Sequence, residues 1–364
     1  MEFIDLKSQQ KRIHNLIQER INTVLENGQY IMGPEVFELE DRLAKYTGAK
    51  HCISNANGTD ALLLALMAIG IKPGDEVITT PFSFFATAEV ISLLGAVPVF
   101  VDIDSNTYNI DANRIEEKIT SKTKAIIPVS LYGQCADYDA IEAIAKKYNL
   151  ITIEDAAQSF GASYKDRKSC NLTTISCTSF FPSKPLGCYG DGGACFTNDD
   201  IIAEKLKILR THGQAKRYYH TDVGINGRLD TLQAAILLAK MEIFDDEIAL
   251  RQKIGSRYAE LLNGVAKVQQ ILPHNKSAFA QYTIEVDNRD SFIQKMKDEG
   301  IPTAVHYPIP LHLQPVYAGK HQKGDYPKSE VAANRVVSLP MHPYLDEVSQ
   351  NKIVAAVKKS LSVK

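Results

Sequence analysis

Thr178-Ser179-Phe180-Phe181-Pro182-Ser183-Lys184-Pro185-Leu186-Gly187 reads as a strand running into a short turn, and Gly190-Asp191-Gly192-Gly193-Ala194 follows closely. Upstream, the apolar run Leu150–Ile153 ends in Glu154-Asp155-Ala156-Ala157-Gln158. A lysine beside Pro and Gly is ordinarily a solvated loop residue. Here Phe180, Phe181, Leu186 and the glycines make a tight apolar neighbourhood, a poor place for an unused ammonium. An amine, an acid at a strand end and a hydroxyl one short turn ahead of the amine can together hold pyridoxal phosphate (PLP). Lys184 would be the Schiff-base partner, Asp155 would face the pyridine nitrogen, and Ser179 would reach the phosphate.

The surrounding chain alternates short β-rich runs with helical patterns from about residue 50 to residue 200. Candidate strands are His51–Ser54, Glu76–Thr80, Val97–Asp102, Ala125–Ser130, Leu150–Ile153, Ser176–Phe181 and Ala194–Thr197, with helices such as Asp60–Ile69 and Asp137–Tyr148 between them. Val- and Ile-rich strands separated by helices predict an α/β unit with a mostly parallel sheet. Such sheets bind ligands beyond the carboxyl ends of their strands. Asn57-Gly58-Thr59, the stretch Phe82–Thr87 and Asp155 each follow a strand, so they can converge on one crevice. Leu229–Asn263 lacks proline and opens with a helical apolar stripe at Leu229, Leu232, Ala235, Ile236 and Ala239, which predicts one or two helices. Beyond it, Gln281–Val286 reads as a strand, Asp290–Gly300 as a helix with its stop, Tyr317–Pro327 as a loop and Glu347–Ser360 as the last helix.

A chain of 364 residues is long enough for two units, each with its own core. The expected division is a large domain over 1–245, with an N-terminal helical segment, and a small C-terminal α+β domain over 246–364. A formal charge of −2 gives no general pull toward nucleic acid or an anionic membrane, so an anionic substrate needs local cations. The N-terminus lacks the pattern of a signal peptide and no apolar run is long enough to span a bilayer, so the expected location is the cytoplasm. The six cysteines form no Cys-x-x-Cys pair, and the histidine spacing offers no zinc pattern; no metal is expected. Cys188 and Cys195 lie near Lys184, either as reactive thiols or as small apolar filler.

Gly58 and Thr59 open a helix after a strand. That end is a phosphate site by virtue of its free N–H groups and dipole, or a plain cap with Thr as the capping residue. Asp155 either holds the pyridine nitrogen protonated, which makes the ring a better electron sink, or caps the next helix. Gln158, one helical turn on, can donate to the cofactor's phenolic oxygen.

These stretches, with Gly28-Gln29-Tyr30-Ile31-Met32-Gly33-Pro34, Asn57-Gly58-Thr59-Asp60-Ala61-Leu62 and Gly224-Ile225-Asn226-Gly227-Arg228-Leu229-Asp230, run in order over most of the chain. In them the chain resembles the sugar aminotransferases of the DegT/DnrJ/EryC1/StrS family. A narrower resemblance, in Ile127–Asp137 and in Thr303-Ala304-Val305-His306-Tyr307-Pro308-Ile309-Pro310, is to members that aminate UDP-2-acetamido-2-deoxy-3-oxo-glucuronate for bacterial O-antigen. The resemblance implies the aspartate-aminotransferase type of PLP fold (fold type I), with a mostly parallel seven-stranded sheet. It implies a cytoplasmic homodimer with shared active sites, in which Asn226 touches the phosphate bound by the other subunit. Phe84 matches the family's aromatic that stacks on the ring, though it reads equally as a core aromatic.

The implied reaction has two halves. Glutamate leaves as 2-oxoglutarate, and pyridoxamine phosphate then aminates carbon 3 of the keto sugar, with Lys184 as general base and acid. Candidate substrate contacts are Arg228, His306 and Tyr307, with Gly28, Tyr30 and Ser183 lining the sugar pocket; His306 reads alternatively as a packed histidine. Amination at carbon 4 of a UDP- or dTDP-keto sugar remains the alternative. Lys184 argues against the family branch that carries His at that position and dehydrates sugars. A PLP-binding regulator without turnover would need a DNA-binding module, and none is legible. No Gly-x-Gly-x-x-Gly follows the first strand, which disfavours a nicotinamide enzyme.

Overall fold

Seven short runs, most of them rich in Val, Ile, Thr and Cys, make one sheet: β1 (His51–Asn55), β2 (Glu76–Thr79), β3 (Val97–Phe100), β4 (Thr123–Ile126), β5 (Ile151–Asp155), β6 (Ile175–Ser179) and β7 (Gly193–Thr197). The computed structural model describes residues 1–362. Strand order is β1-β7-β6-β5-β4-β2-β3. The five strands from β6 to β3 are parallel, and β7 runs antiparallel to both β6 and β1. The fold is α/β with a mostly parallel central sheet. Several expected strands end sooner than the apolar pattern does. β3 stops at Phe100, β4 at Ile126 and β6 at Ser179, because beyond them the chain turns away to build loops at the carboxyl edge.

Helices cover both faces, which is why the strands read as apolar runs rather than alternating ones. One face packs Val36, Leu39 and Leu43 of α1 (Pro34–Thr47) with Ile141 and Ala145 from the helix Tyr138–Tyr148 and Leu237 and Leu238 from the helix Thr231–Met241. The other packs Leu62, Leu64 and Leu66 of α2 (Gly58–Ala68), Val90 and Ile91 of α3 (Ala86–Leu93) and Leu206 and Leu209. The helix starts carry the expected chemistry: Asp137 caps the helix at Tyr138, and Asp199 caps the one at Asp200.

The proline-free stretch forms two helices, Thr231–Met241 and Phe244–Leu262. The second belongs to two cores at once. Phe244 and Ile248 pack into the large sheet's core, whereas Ile254, Tyr258 and Leu262 pack against a three-stranded antiparallel sheet. That sheet consists of β8 (Lys267–Val268), β9 (Tyr282–Glu285) and β10 (Val336–Leu339). Helices Arg289–Asp298 and Glu347–Leu361 close it. Among the described residues no helix is long and apolar enough to cross a membrane.

Candidate active site

The carboxyl ends of β5 and β6 lie side by side, with Asp155 paired to Cys177. β6 ends at Ser179, which pairs with Gly193 at the start of β7. Residues 180–192 must therefore leave and return at one edge. Phe180 N donates to Gly192 O (2.7 Å), Cys188 N to Phe180 O (2.8 Å) and Lys184 N to Phe181 O (2.8 Å), which draws the loop tight around Lys184. The buried Lys240 donates its amine to Gly187 O at 2.5 Å and lies over the Tyr189 ring. Cys188 and Cys195 are buried, and their thiols donate to the carbonyls of Phe180 and Ala61. Burial also pushes the Cys188 thiol up, so it is filler rather than a nucleophile.

Removal from water pulls the Lys184 ammonium down to about 8, and the nearby Asp155 charge opposes that pull without fully offsetting it. Burial likewise raises Asp155, while hydrogen bonds from Thr87 and the Ala157 N–H and the charge of Lys184 work against the rise. Asp155 Oδ2 accepts from Thr87 Oγ1 (2.8 Å), and Oδ1 accepts from Ala157 N (3.2 Å). An amine drawn toward its neutral form and a buried acid thus act on one another through space.

The helix α2 starts at Gly58, and its cap is Asn57 rather than Thr59. Asn57 Oδ1 accepts from Asp60 N (2.8 Å), and its carbonyl accepts from Ala61 N (3.1 Å). The N–H groups of Gly58 and Thr59 lie ahead of these two bonds, at the positive end of the helix. Ser179 stands directly against Gly58: a Cβ on that glycine would come within 2.6 Å of Ser179 Cβ. The Ser179 hydroxyl accepts from Phe181 N (3.2 Å), which leaves its own hydrogen available. Two helix N–H groups, a hydroxyl, an amine pulled down to about 8 and a buried acid fit the phosphate, aldehyde and ring nitrogen of PLP. Phe84, 57% exposed, offers the ring face such a cofactor needs.

Gln158 Oε1 accepts from Tyr132 N (2.7 Å), and its Nε2 donates to Tyr307 Oη (3.0 Å). One Nε2 hydrogen therefore remains for another acceptor. Tyr307 packs against Phe84, with ring centroids 6.0 Å apart, and burial and the Asp155 charge hold its phenol well above the usual range. His306 shares a hydrogen bond with Ser338 Oγ at 2.9 Å through Nδ1, and its backbone carbonyl accepts from Tyr132 Oη. Burial and the Lys184 charge bring His306 down to about 4, so it is neutral near pH 7 and serves as a donor or acceptor, not as a cation.

Lys184, Asp155, Gly58, Ser179, Gln158, Phe84 and Tyr307 thus fall into one neighbourhood, with Thr59 beside Gly58 and Ser183 immediately before Lys184. The segment with Asn226 and Arg228 is tied to the residue just after β1 by Ala56 N donating to Gly227 O (2.9 Å). Asn226 is exposed, and Arg228 Nε is buried with no hydrogen-bond partner among the described residues. Gly28 ends a helix in the left-handed region (φ +65°), and Tyr30 is half exposed; among the described residues neither makes a hydrogen bond to the Lys184 loop. The sequence reading put Ser83 and Thr87 in a crevice-lining stretch and Tyr132 in Ile127–Asp137 but gave none of them a role, and it did not single out Lys240. The pair of hydroxyls four residues apart at Ser83 and Thr87 is a signal that could have been read; nothing in the sequence marks Lys240.

The description "DegT/DnrJ/EryC1/StrS aminotransferase family" matches residues 11–358. The chain is 60% identical over 358 residues to the UDP-2-acetamido-2-deoxy-3-oxo-D-glucuronate aminotransferase of Pseudomonas aeruginosa, covering 98% of this chain and 99% of that one. It superposes on a DegT DnrJ EryC1 StrS aminotransferase from Brucella abortus with a TM-score of 0.96 at 46% identity, over 100% of both chains. It also superposes on NtdA from Bacillus subtilis, solved with bound cofactor PMP, with a TM-score of 0.91 at 30% identity, over 99% of this chain and 83% of that one.

Proposed function

The chain belongs to the DegT/DnrJ/EryC1/StrS aminotransferase family, and from that premise we propose that it aminates carbon 3 of a UDP-linked 3-oxo-2-acetamido-hexuronate. Glutamate is the proposed donor, and bacterial O-antigen or lipopolysaccharide synthesis the proposed use. The observation that carries this reading is the 60% identity over 98% of the chain to an enzyme named for that substrate. The cofactor is pyridoxal phosphate, passing through its pyridoxamine form. When bound, PLP supplies an electron sink and a carrier for the migrating nitrogen.

The chain's own residues divide the remaining work. Lys184, its amine pulled down to about 8, anchors the cofactor and moves the proton through Nζ. Asp155 keeps the ring nitrogen protonated. The N–H groups of Gly58 and Thr59 and the Ser179 hydroxyl take the phosphate, with Asn226 of the partner subunit completing that end. Gln158 gives its free Nε2 hydrogen to the phenolic oxygen, and Phe84 stacks on the ring. On the substrate side, Arg228 meets the uronate carboxylate, while His306, Tyr307, Tyr30, Gly28 and Ser183 line the sugar. The proposal includes a homodimer with shared sites, a cytoplasmic setting, and a division into 1–245 and 246–364 in which Phe244–Leu262 bridges the two cores.

The test is turnover. The enzyme, supplied with glutamate, should aminate the UDP-3-oxo-uronate faster than any 4-keto sugar nucleotide. Arg228→Ala should weaken binding of the uronate by more than about tenfold relative to its 6-hydroxymethyl counterpart, since a charged hydrogen-bonded pair is typically worth about 1.5–3 kcal/mol. Faster turnover of a 4-keto sugar would overturn the substrate assignment, and equal losses for both sugars would move Arg228 to the diphosphate.

A further inference from the structure

Asp155 is buried, and among the described residues its one side-chain donor is Thr87. Thr87 stands in the first turn of α3, fully buried. A helical threonine usually bonds back to a carbonyl four residues earlier. Here the group four residues earlier is another hydroxyl: Ser83 Oγ lies 3.0 Å from Thr87 Oγ1, and Ser83 is 3% exposed. The direction of this chain follows from the acid at its end. An ionised Asp155 carries no hydrogen, so Thr87 must donate to it. That spends the single hydrogen of Thr87, so Ser83 must donate to Thr87. Both dipoles then point at Asp155, and each strengthens the other in a dry setting.

The other groups around Asp155 do not duplicate this. Lys184 and Tyr307 act on it through space. Its neighbour Glu154 is occupied elsewhere, accepting from Ser169 Oγ (2.7 Å), Ser176 Oγ (2.9 Å) and Cys170 N (2.9 Å). The Ala157 N–H is backbone and cannot be varied by substitution.

We propose that Thr87, backed by Ser83, is a positioning residue that acts through Asp155 to hold it as an anion, so that the proton shared with the cofactor rests on the ring nitrogen. This rests on the reading of Asp155 as the ring-nitrogen partner. A carboxylate that loses its donor becomes more basic and draws the shared proton toward itself, leaving a neutral ring and a weaker electron sink. A merely structural Thr87 would lower stability when replaced and leave the proton where it is.

The experiment loads the full-length protein with PLP labelled with 15N in the ring and reads the ring-nitrogen shift against pH, together with kcat. Wild type and Thr87→Ser should give a protonated nitrogen through the neutral range. Thr87→Val should lower the apparent ring-nitrogen pKa by about one unit, a tenfold change in the protonation ratio at a given pH, and move the pH at which kcat falls by the same amount. Ser83→Ala should move both in the same direction by less, and it carries the test should Thr87→Val not fold. A wild-type titration curve in Thr87→Val, or in Ser83→Ala if that variant is the one that folds, overturns the proposal. Asp155→Asn separates the two levels: if it leaves the nitrogen signal unmoved, Asp155 is not the ring partner and both readings fall together. A moved signal in Asp155→Asn with an unmoved one in Thr87→Val sinks the Thr87 role alone.

Discussion

Gly58 and Ser179 touch so closely that a methyl group on the glycine would sit 2.6 Å from the serine Cβ, a separation real side chains do not adopt. The contact joins the start of α2 to the end of β6 at the proposed phosphate end. Gly58→Ala must move one of them. We expect PLP to bind at least about tenfold more weakly, a loss of roughly 1.4 kcal/mol, with the far-ultraviolet circular dichroism unchanged. Fluorescence titration of the apoprotein measures it; wild-type affinity would remove the phosphate from this end.

Lys184 gives a pH signature that needs no substrate. Its folded value of about 8 lies below its ordinary value of 10.5. Its neutral amine therefore becomes available as pH rises through about 8. The rate at which apoprotein captures PLP should climb over that range and vanish in Lys184→Ala. The same shift is a stability statement. Between about 8 and 10.5 the unfolded chain holds a proton that the folded one does not, so this group's contribution to apoprotein stability rises with pH across that window. Below it, the full cost of burying the ammonium is present. Denaturant titrations of wild type and Lys184→Met should converge as pH increases.

Asp155→Asn is expected to retain PLP yet lose activity by roughly a hundredfold, the scale typical of removing one preorganised electrostatic partner. The amide keeps a hydrogen bond from Thr87 but offers no charge to a pyridinium. Steady-state kinetics at saturating PLP decides, and near-normal turnover would reduce Asp155 to a structural acid.

The proposed homodimer brings Arg228 of one subunit together with Lys184 of the other in each site. Mixed and re-equilibrated dimers of Lys184→Ala and Arg228→Ala should recover about a quarter of wild-type activity. Half the dimers are then hybrids, and each hybrid holds one intact site. No recovery, in dimers shown by mass spectrometry to have exchanged, would place Arg228 in its own subunit's site.

The legible part of this molecule was the part written in local pattern. The apolar runs located all seven sheet strands, and Lys184, Ser179 and Asp155 stood out because a strand end and a tight glycine-bounded loop constrain where their side chains go. Helix caps were less legible. Thr59 looked like a cap, but Asn57, two residues earlier, does that work, because either residue type satisfies the same N–H groups and only the chain's path chooses. Contacts between distant segments were not legible at all. Tyr132 meets Gln158 through its backbone N–H, and Lys240 reaches Gly187 from another helix; neither contact leaves a spacing in the sequence. Nor does a linear pattern display that burial and the Lys184 charge lower the imidazole of His306, which the sequence offers as a substrate contact or a packed histidine.

The junction at Gln158 has an evolutionary consequence. The residues proposed to handle nitrogen lie, apart from Asn226, between Gly58 and Lys184, whereas the wall offered to the sugar draws on Gly28, Tyr30, Ser183 and Arg228 as well as on His306 and Tyr307, and Tyr307 joins the two by donation from Gln158 at 3.0 Å. A lineage can redraw that wall, by recombination or gradual drift, and keep its nitrogen chemistry as long as a phenol still returns to the same amide. New sugars would then be acquired by changing wall residues while the old reaction is inherited intact.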